Sequence, residues 1–84
     1  MKPFKNRRFK RRVIGERLRE AMYQRNYTHG DLADKIGITP SNISCIITGK
    51  SDPCVDTLYC IAVELEVSCD YLLGLSDNIY GGIR

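Results

Sequence analysis

The sequence predicts a small all-α domain, and three observations lead to this prediction. Its 84 residues are enough for one domain with a single hydrophobic core. Apolar residues recur along the chain at the three- and four-residue spacing that places them on one face of a helix. Serine or threonine precedes several of these segments and glycine follows them, as at the beginnings and ends of helices. The chain therefore divides into five helical segments, preceded by a basic stretch.

The first predicted helix begins at Lys10 or Val13 and ends near Asn26. Gly15 weakens a helix mildly and lies near this start, where its cost is least. One apolar stripe runs along the helix and is formed by Ile14, Leu18, Ala21 and Met22. We expect this stripe to belong to the core.

Residues 28–49 predict two short helices joined by a tight turn. Thr28 is a favourable N-cap, and Asp31 three residues later can complete a capping box, so that a helix begins at His29. Gly37 can adopt the left-handed conformation that ends it. The inward residues of this second helix are Leu32, Ala33 and Ile36.

The third predicted helix spans residues 40–48. Thr39 caps it, Pro40 takes the first position, where proline is well tolerated, and Gly49 ends it. Its inward face consists of Ile43, Ile46 and Ile47, and its outward face of Ser41, Asn42, Ser44, Cys45 and Thr48. Two short helices joined in this way predict a helix-turn-helix.

The fourth helix is predicted over residues 56–64, after a loop from Lys50 to Pro53. Its inward residues are Val55, Leu58, Ile61, Ala62 and Leu65. A short fifth helix is capped by Ser68 and closed by Gly74. In it we place Leu72 and Leu73 in the core and Tyr71 partly in solvent.

Residues 75–84 have no sustained period and contain a Gly-Gly pair. They form either a frayed end or a small docking tail. The predicted organisation is therefore a basic arm or helix extension over 1–12, a domain over 13–74 and a short tail over 75–84.

Charge is distributed very unevenly along the chain. Residues 1–25 contain ten basic and two acidic residues, a net charge of +8, whereas residues 26–84 contain three basic and eight acidic residues, a net charge of −5. This asymmetry is typical of a polyanion-binding arm on an acidic body. A solvated tail kept for solubility would look similar. Phe4 and Phe9 lie among the charges, where they could pack on the domain or touch nucleic acid.

The composition also argues against several classes of protein. A single histidine and scattered carboxylates offer no catalytic pair, and there is no phosphate-cradling G-x-x-x-x-G-K loop, so we predict no enzyme and no catalytic residue. Metal or another cofactor is not expected, because no C-x-x-C spacing occurs among Cys45, Cys54, Cys60 and Cys69. No apolar run is long enough for a membrane span or a signal peptide, so we expect a cytoplasmic protein with no membrane partner.

The 28–49 segment resembles the Cro and phage-repressor-like (XRE-type, Cro/C1-type) helix-turn-helix family. The residues that carry the resemblance are Ala33, Gly37, Ile38, Ile43 and Ile46, followed by GKSDP and two further helices. It extends from about Val13 to Gly74. The resemblance implies a compact five-helix, lambda-repressor-like domain that binds operator DNA as a dimer, with the 40–48 helix in the major groove.

The resemblance places base-facing residues at the start and outer face of that helix. These are Pro40, Ser41 and Cys45, with Ser44 beside them; Asn42 and Thr39 are further candidates. Family members often have Gln, Arg or Lys at such positions, whereas these side chains are small and uncharged. Only Asn42 can form a bidentate pair of hydrogen bonds with adenine. We therefore expect modest direct readout, supplemented by thymine-methyl contacts of Pro40 or Thr39, by groove shape or by arm arginines in a minor groove.

The resemblance also implies phosphate contacts at two sites. His29 stands where the family commonly has a phosphate-binding Gln, next to Thr28 at the start of the second helix, and Thr48, Lys50 and Ser51 match the backbone-contacting loop after the third helix. From the charge of the arm we add Arg7, Arg8, Arg11 and Arg12.

We interpret the chain as a small DNA-binding transcriptional regulator, with repression favoured, of phage or mobile-element type in a bacterium. It would act on double-stranded operator DNA as a homodimer joined through the fifth helix and residues 75–83, without a small-molecule effector. The rival interpretation is a protein-interaction module of the same fold, either antitoxin-like or a regulatory subunit. The charge of the arm, together with Lys50, favours DNA. RNA is a weaker alternative because no aromatic stacking platform appears.

Overall fold

A computed structural model describes residues 11–79, with side chains from residue 12 onward. Five helices follow one another along these residues: α1 Arg11–Arg25, α2 His29–Ile36, α3 Pro40–Ile47, α4 Val55–Leu65 and α5 Cys69–Leu73. The described residues contain no strand. The five predicted helical segments are confirmed, with ends that differ from the predicted ones by one or two residues.

Local side-chain hydrogen bonds explain why α2 begins and ends where it does. The Thr28 hydroxyl accepts from the Asp31 amide at 3.0 Å, and the Thr28 amide donates to the Asp31 carboxylate at 3.1 Å. This is the predicted capping box. Gly37 ends the helix at φ 80°, as expected of a left-handed stop.

The start of α3 is also as predicted. Thr39 accepts from the Asn42 amide at 3.1 Å, and Pro40 takes the first helical position. The helix ends at Ile47, so Thr48 caps it rather than belonging to it, and Gly49 follows at φ 82°.

All five helices contribute to one core. Its buried members are Ile14, Leu18, Ala21, Met22, Leu32, Ala33, Ile43, Ile46, Ile47, Ile61, Ala62, Leu65, Val67, Tyr71 and Leu72. The predicted inward faces of α1, α2 and α3 are confirmed, although Ile36 and Ile38 are only partly buried. Each large apolar side chain buried here contributes about 1.5–3 kcal/mol to folding.

Two burial predictions were wrong. Val55 is 83% exposed, because it lies with Tyr59 and Val63 along the face of α4 that no other described helix covers. Tyr71 is only 7% exposed, since it packs on the core beneath the Arg17 guanidinium, which lies 4.4 Å from its ring centroid. Leu58 and Leu73, which were predicted to face the core, are partly buried and pack against it, as Ile36 does.

The segment after α5 docks on the domain as far as it is described. The Ser68 amide donates to the Ile79 carbonyl at 2.9 Å, and Ile79 packs against the core. Arg17 of α1 donates to the Ser76 carbonyl at 3.0 Å and pairs with the Asp77 carboxylate at 3.1 Å. Of the two predicted alternatives, these residues fit the docking tail; residues 80–84 lie outside the described part.

A second set of contacts joins the end of α1 to the end of α4. Arg25 donates to the Leu65 carbonyl at 3.0 Å and to the Glu66 carboxylate at 2.7 Å. The Tyr27 hydroxyl donates to the Glu64 carboxylate at 2.5 Å.

Among residues 11–79, no helix combines the length and apolar character needed to cross a membrane.

Candidate nucleic-acid interface

The exposed face of α3 carries the residues predicted to face DNA bases. Thr39, Pro40, Ser41 and Asn42 are exposed, and Ser44 and Cys45 are half-buried. The first half of the helix is therefore the more accessible half, and its side chains are uncharged and small. This helix can enter a groove, because nothing bulky projects from its front. Direct reading of bases would depend mainly on Asn42, whose amide can pair with adenine.

The opposite face of α3 holds it firmly on the domain. Ile43 and Ile46 are almost completely buried, and Ile47 is nearly so. The last turn of α3 also meets the first half of α1 at Gly15, where the two backbones come into direct contact. A Cβ atom added to Gly15 would lie 2.1 Å from the Ile47 carbonyl oxygen. The only sign of this contact in the sequence is a glycine inside a predicted helix, and that sign by itself indicates only a weak helix former.

The loop after α3 is tied to the last turn of that helix. The Lys50 and Ser51 amides both donate to the Cys45 carbonyl, at 2.8 and 3.3 Å. The Thr48 hydroxyl donates back to the Ser44 carbonyl at 3.0 Å. Thr48 would have to give up this bond to donate to a phosphate, whereas the Lys50 side chain is exposed and extends from a fixed backbone. Lys50 is therefore the better placed of the two for the predicted phosphate contact.

The start of α2 presents His29 to solvent. The neighbouring Thr28 hydroxyl already accepts the Asp31 amide proton, and the Asp31 carboxylate lies at the same helix end. That carboxylate offsets the positive potential of the helix N-terminus. Phosphate binding here would therefore depend on the His29 ring and on the backbone amides of the first turn that the capping box does not use.

The basic arm joins the domain at the start of α1, whose first half contacts the last turn of α3. Arg11 is the first residue of α1, and Arg12 follows it, one helical turn before Gly15 and its contact with Ile47. The Arg12 side chain is 85% exposed and its guanidinium lies 4.0 Å from the Glu16 carboxylate. An ion pair so exposed to solvent is weak and does not fix the position of the arginine. Arg7, Arg8, Phe4 and Phe9 lie outside the described residues. The described part of the arm therefore consists of the first two residues of α1, of which Arg12 has an exposed side chain.

The charge of the domain contrasts with that of the arm. Residues 13–79 contain five basic and ten acidic residues, a net charge of −5, whereas residues 1–12 carry seven basic residues and no acidic one. Attraction for a polyanion would therefore come from the arm and from local cations such as Lys50, and not from the net charge of the domain.

The cysteines do not form a metal or disulfide site. All four are free thiols. Within residues 11–79, no cluster of His, Cys, Asp and Glu could hold a metal ion. Cys54 is exposed at the start of α4, and the hydrogen bond with the Thr57 hydroxyl lowers its pKa.

Residues 15–77 match the family described as a helix-turn-helix domain, and the chain belongs to this family. It is 39% identical over 61 residues to the HTH-type transcriptional regulator ImmR of Bacillus subtilis (strain 168), covering 73% of this chain and 48% of ImmR. It is 36% identical over 66 residues to YqaE, an uncharacterized HTH-type transcriptional regulator of the same organism, covering 79% of this chain and 57% of YqaE. The chain thus spans about half the length of these relatives.

Solved structures share the fold. The P22 c2 repressor in complex with synthetic operator 9T matches with a TM-score of 0.68 and 27% identity, over 71% of this chain and 91% of the repressor chain. A chain of the SinR–SinI protein complex matches with a TM-score of 0.67 and 30% identity, over 71% of this chain and 59% of that one. FeII HppE in complex with substrate matches with a TM-score of 0.71 and 25% identity, over 76% of this chain but only 37% of its own. The predicted lambda-repressor-like all-α fold is confirmed.

Proposed function

We propose that the chain binds operator DNA as a transcriptional regulator, with α3 in the major groove and repression as its effect. The observation that carries the proposal is the construction of α3. Three isoleucines bury its back, and its front presents only small, uncharged residues next to the loop of Lys50. The likeness to an operator-bound repressor and to HTH-type transcriptional regulators supports the same function.

Base recognition is proposed for the front of α3. Asn42 would contact adenine, and Pro40 and Thr39 would contact thymine methyl groups. Ser41, Ser44 and Cys45 would add contacts of low selectivity, because a hydroxyl bonds to several bases and a thiol is a weak donor. Because few of these groups discriminate, groove shape and the arm would contribute to sequence preference.

Phosphate binding is proposed for cations on either side of α3. Lys50 and the Ser51 hydroxyl would contact one stretch of backbone, and His29, next to Thr28, another. Thr48 would join them if its hydroxyl exchanged its bond to the helix for one to phosphate. Arg7, Arg8, Arg11 and Arg12 of the arm would bind further phosphates or enter a minor groove.

The proposed unit on DNA is a homodimer joined through α5 and residues 75–83. A two-fold arrangement would place two α3 helices about one DNA turn, roughly 34 Å, apart. Leu75 is 75% exposed within the described part of this segment, which suits a contact with a second copy. The proposed activity is not enzymatic, requires no cofactor or small-molecule effector, and is cytoplasmic because the operator is there.

One observation favours a second candidate function, a protein-interaction module. The exposed face of α4 carries Val55, Tyr59 and Val63 in a row, an apolar surface with no role in the proposed DNA contact. SinR, to which the chain is similar, occurs in a complex with another protein, SinI. An antitoxin-like or regulatory protein would use such a surface instead of α3.

The experiment that separates the two is selection of bound duplexes from a random DNA pool at two salt concentrations. Wild type is compared with Lys50→Ala and with a variant in which Arg7, Arg8, Arg11 and Arg12 are all alanine. Lys35→Ala is the matched control, since Lys35 is an exposed lysine in the last turn of α2, outside the proposed surface.

We expect wild type to enrich an inverted repeat with half-sites about ten base pairs apart. Lys50→Ala should reduce the slope of log affinity against log salt by about one and the arm variant by more, while Lys35→Ala leaves it unchanged. Failure to enrich any sequence, with binding lost at physiological salt, would contradict the proposal and favour the protein-interaction module.

A further inference from the structure

Gly15 lies at the closest contact between α1 and α3. A Cβ atom at this position would lie 2.1 Å from the Ile47 carbonyl oxygen, 2.8 Å from the Ile47 carbonyl carbon and 3.0 Å from the Ile46 carbonyl oxygen. In glycine a hydrogen occupies this direction and points at those carbonyls, as in the Cα–H contacts found where helices pack closely. The first half of α1 therefore rests on the backbone of the last turn of α3.

This contact differs from those of other described glycines, because both sides are main chain. At Gly74 the nearest neighbour of an added Cβ is a side-chain methyl group of Val13, and at Gly30 it is the Thr28 hydroxyl at 3.8 Å. A side chain can rotate away, whereas the Ile46–Ile47 carbonyls can move only with the helix. Real Cβ atoms essentially never approach closer than 3.0 Å, so an alanine at position 15 would separate the two helices by about 0.9 Å at this point.

The turn of α3 that Gly15→Ala would displace also holds the loop that follows it. The carbonyls of Ser44, Cys45 and Ile46 accept hydrogen bonds from Thr48, Lys50, Ser51 and Gly49. A movement of this turn is therefore carried into the backbone beneath Lys50. Because useful hydrogen-bond distances span only about half an ångström, a displacement of this size is enough to lose contacts to a DNA backbone held elsewhere.

We propose that Gly15 is a positioning residue for DNA binding. It sets the position of α3 and of residues 48–51 relative to α1. The same contact holds the first half of α1, from which the arm extends, against the last turn of α3. The inference rests on the proposed function, in which these two elements touch DNA. It assigns a DNA-binding role to a residue that is itself buried and carries no functional group.

The test compares Gly15→Ala with two other variants on the selected operator. Ile61→Val and Leu65→Ala are the controls, because they lower stability from core positions on α4, outside the proposed DNA and dimer surfaces. Each protein is first shown by circular dichroism to be fully folded at the assay temperature. Operator affinity, affinity for an unrelated duplex and the salt slope are then measured.

We expect Gly15→Ala to lower Tm by about 5–15 °C, as overpacking does, and to weaken operator binding about tenfold or more. Its salt slope should become shallower by about one, because the phosphate contacts at Lys50 are lost. Ile61→Val and Leu65→Ala should bind within about twofold of wild type while folded. That difference separates misplacement of α3 from a general loss of stability.

Two results would overturn the inference. One is operator binding by folded Gly15→Ala that equals that of the core variants with the same Tm. The other is a chain that stays unfolded even when a stabilising osmolyte is added, since Gly15 would then control folding as a whole. Failure of the proposed function is distinguishable from both, because wild type itself would then show no preference for an operator over the unrelated duplex.

Discussion

At the scale of single residues, hydroxyl side chains fix where the helices begin. Thr28, Thr39 and Ser68 each accept a hydrogen bond from the amide three residues later. Each satisfies a donor that the helix itself leaves without a partner. Because α2 and α3 have only eight residues each, a misplaced start would shift a large share of the helix. The caps therefore matter more here than they would in long helices.

Replacement of a cap should have a measurable cost. Thr28→Ala removes the hydroxyl that accepts the Asp31 amide, which is one half of the capping box, so the free energy of unfolding should fall by about 1 kcal/mol. Thr48→Ala is the control, since its hydroxyl bonds only to carbonyls of the preceding turn, and it should change stability by less than about 0.5 kcal/mol. Urea denaturation measures both. Equal losses in the two variants would contradict this account of Thr28.

Tyr71 should make stability depend on alkaline pH. Burial raises the pKa of its hydroxyl above the ordinary 10.0, although the nearby Arg17 opposes the shift. A pKa that is higher in the folded state contributes stability that is fully present below pH 10 and is lost as pH rises through the folded-state value. The free energy of unfolding should therefore fall above pH 10, and less steeply in Tyr71→Phe. Tyr23→Phe, which removes an exposed tyrosine from α1, should keep the steeper fall; identical slopes in all three proteins would contradict the prediction.

At the scale of elements, Arg17 joins α1 to the segment that follows α5. Its guanidinium donates to the carbonyls of Tyr71 and Ser76, pairs with Asp77 and lies over the Tyr71 ring. The Asp77 carboxylate is fully exposed, so the ion pair itself contributes little. The contacts to the carbonyls and to the ring carry most of the interaction.

Arg17→Ala should therefore release residues 75–79 from the domain. We expect a loss of about 1–3 kcal/mol in the free energy of unfolding and faster amide exchange at Ser68, which donates to the Ile79 carbonyl. Asp77→Asn should change both quantities little. A lysine at position 17 should not restore them, because an ammonium group lacks the planar fork that reaches two carbonyls and the ring. If Asp77→Asn were as damaging as Arg17→Ala, the ion pair would be the dominant contact after all.

The elements were predictable from the sequence where their signals are local. The capping box at Thr28, the glycine stop at Gly37 and the Thr39–Pro40 start are each decided by residues within one helical turn. Burial was predicted less well, because it depends on which neighbour covers a face. The exposure of Val55 and the burial of Tyr71 follow from the positions of other helices, which a periodic pattern on one helix cannot give.

The candidate site also has features that the sequence predicts and one that it does not. The exposed front of α3 and the surface position of Lys50 agree with the sequence prediction, whereas their roles toward DNA stay predictions. The contact at Gly15 could not be derived, because a glycine in a helix looks the same whether it faces solvent or another backbone. Only the packing of α1 on α3 separates these cases.

At the scale of the whole molecule, DNA binding would require two copies with a fixed spacing. A single α3 offers few discriminating side chains, so one half-site would be recognised weakly. Two helices held about one DNA turn apart would add their contacts and read a longer sequence. The proposed dimer would therefore supply the selectivity that the small residues of α3 lack.

This arrangement predicts a strong dependence on the spacing of the half-sites. Insertion of five base pairs between them rotates one half-site to the opposite face of the duplex, so a dimer can bind only one. Operator affinity should then fall to that of a single half-site, as measured by electrophoretic mobility shift. Leu75→Ser should have the same effect on the unaltered operator, because Leu75 belongs to the proposed dimer surface and is exposed in one copy. Tyr23→Ser, at a similarly exposed position on α1, should leave binding unchanged. An operator affinity insensitive to the insertion would show that the chain binds each half-site independently.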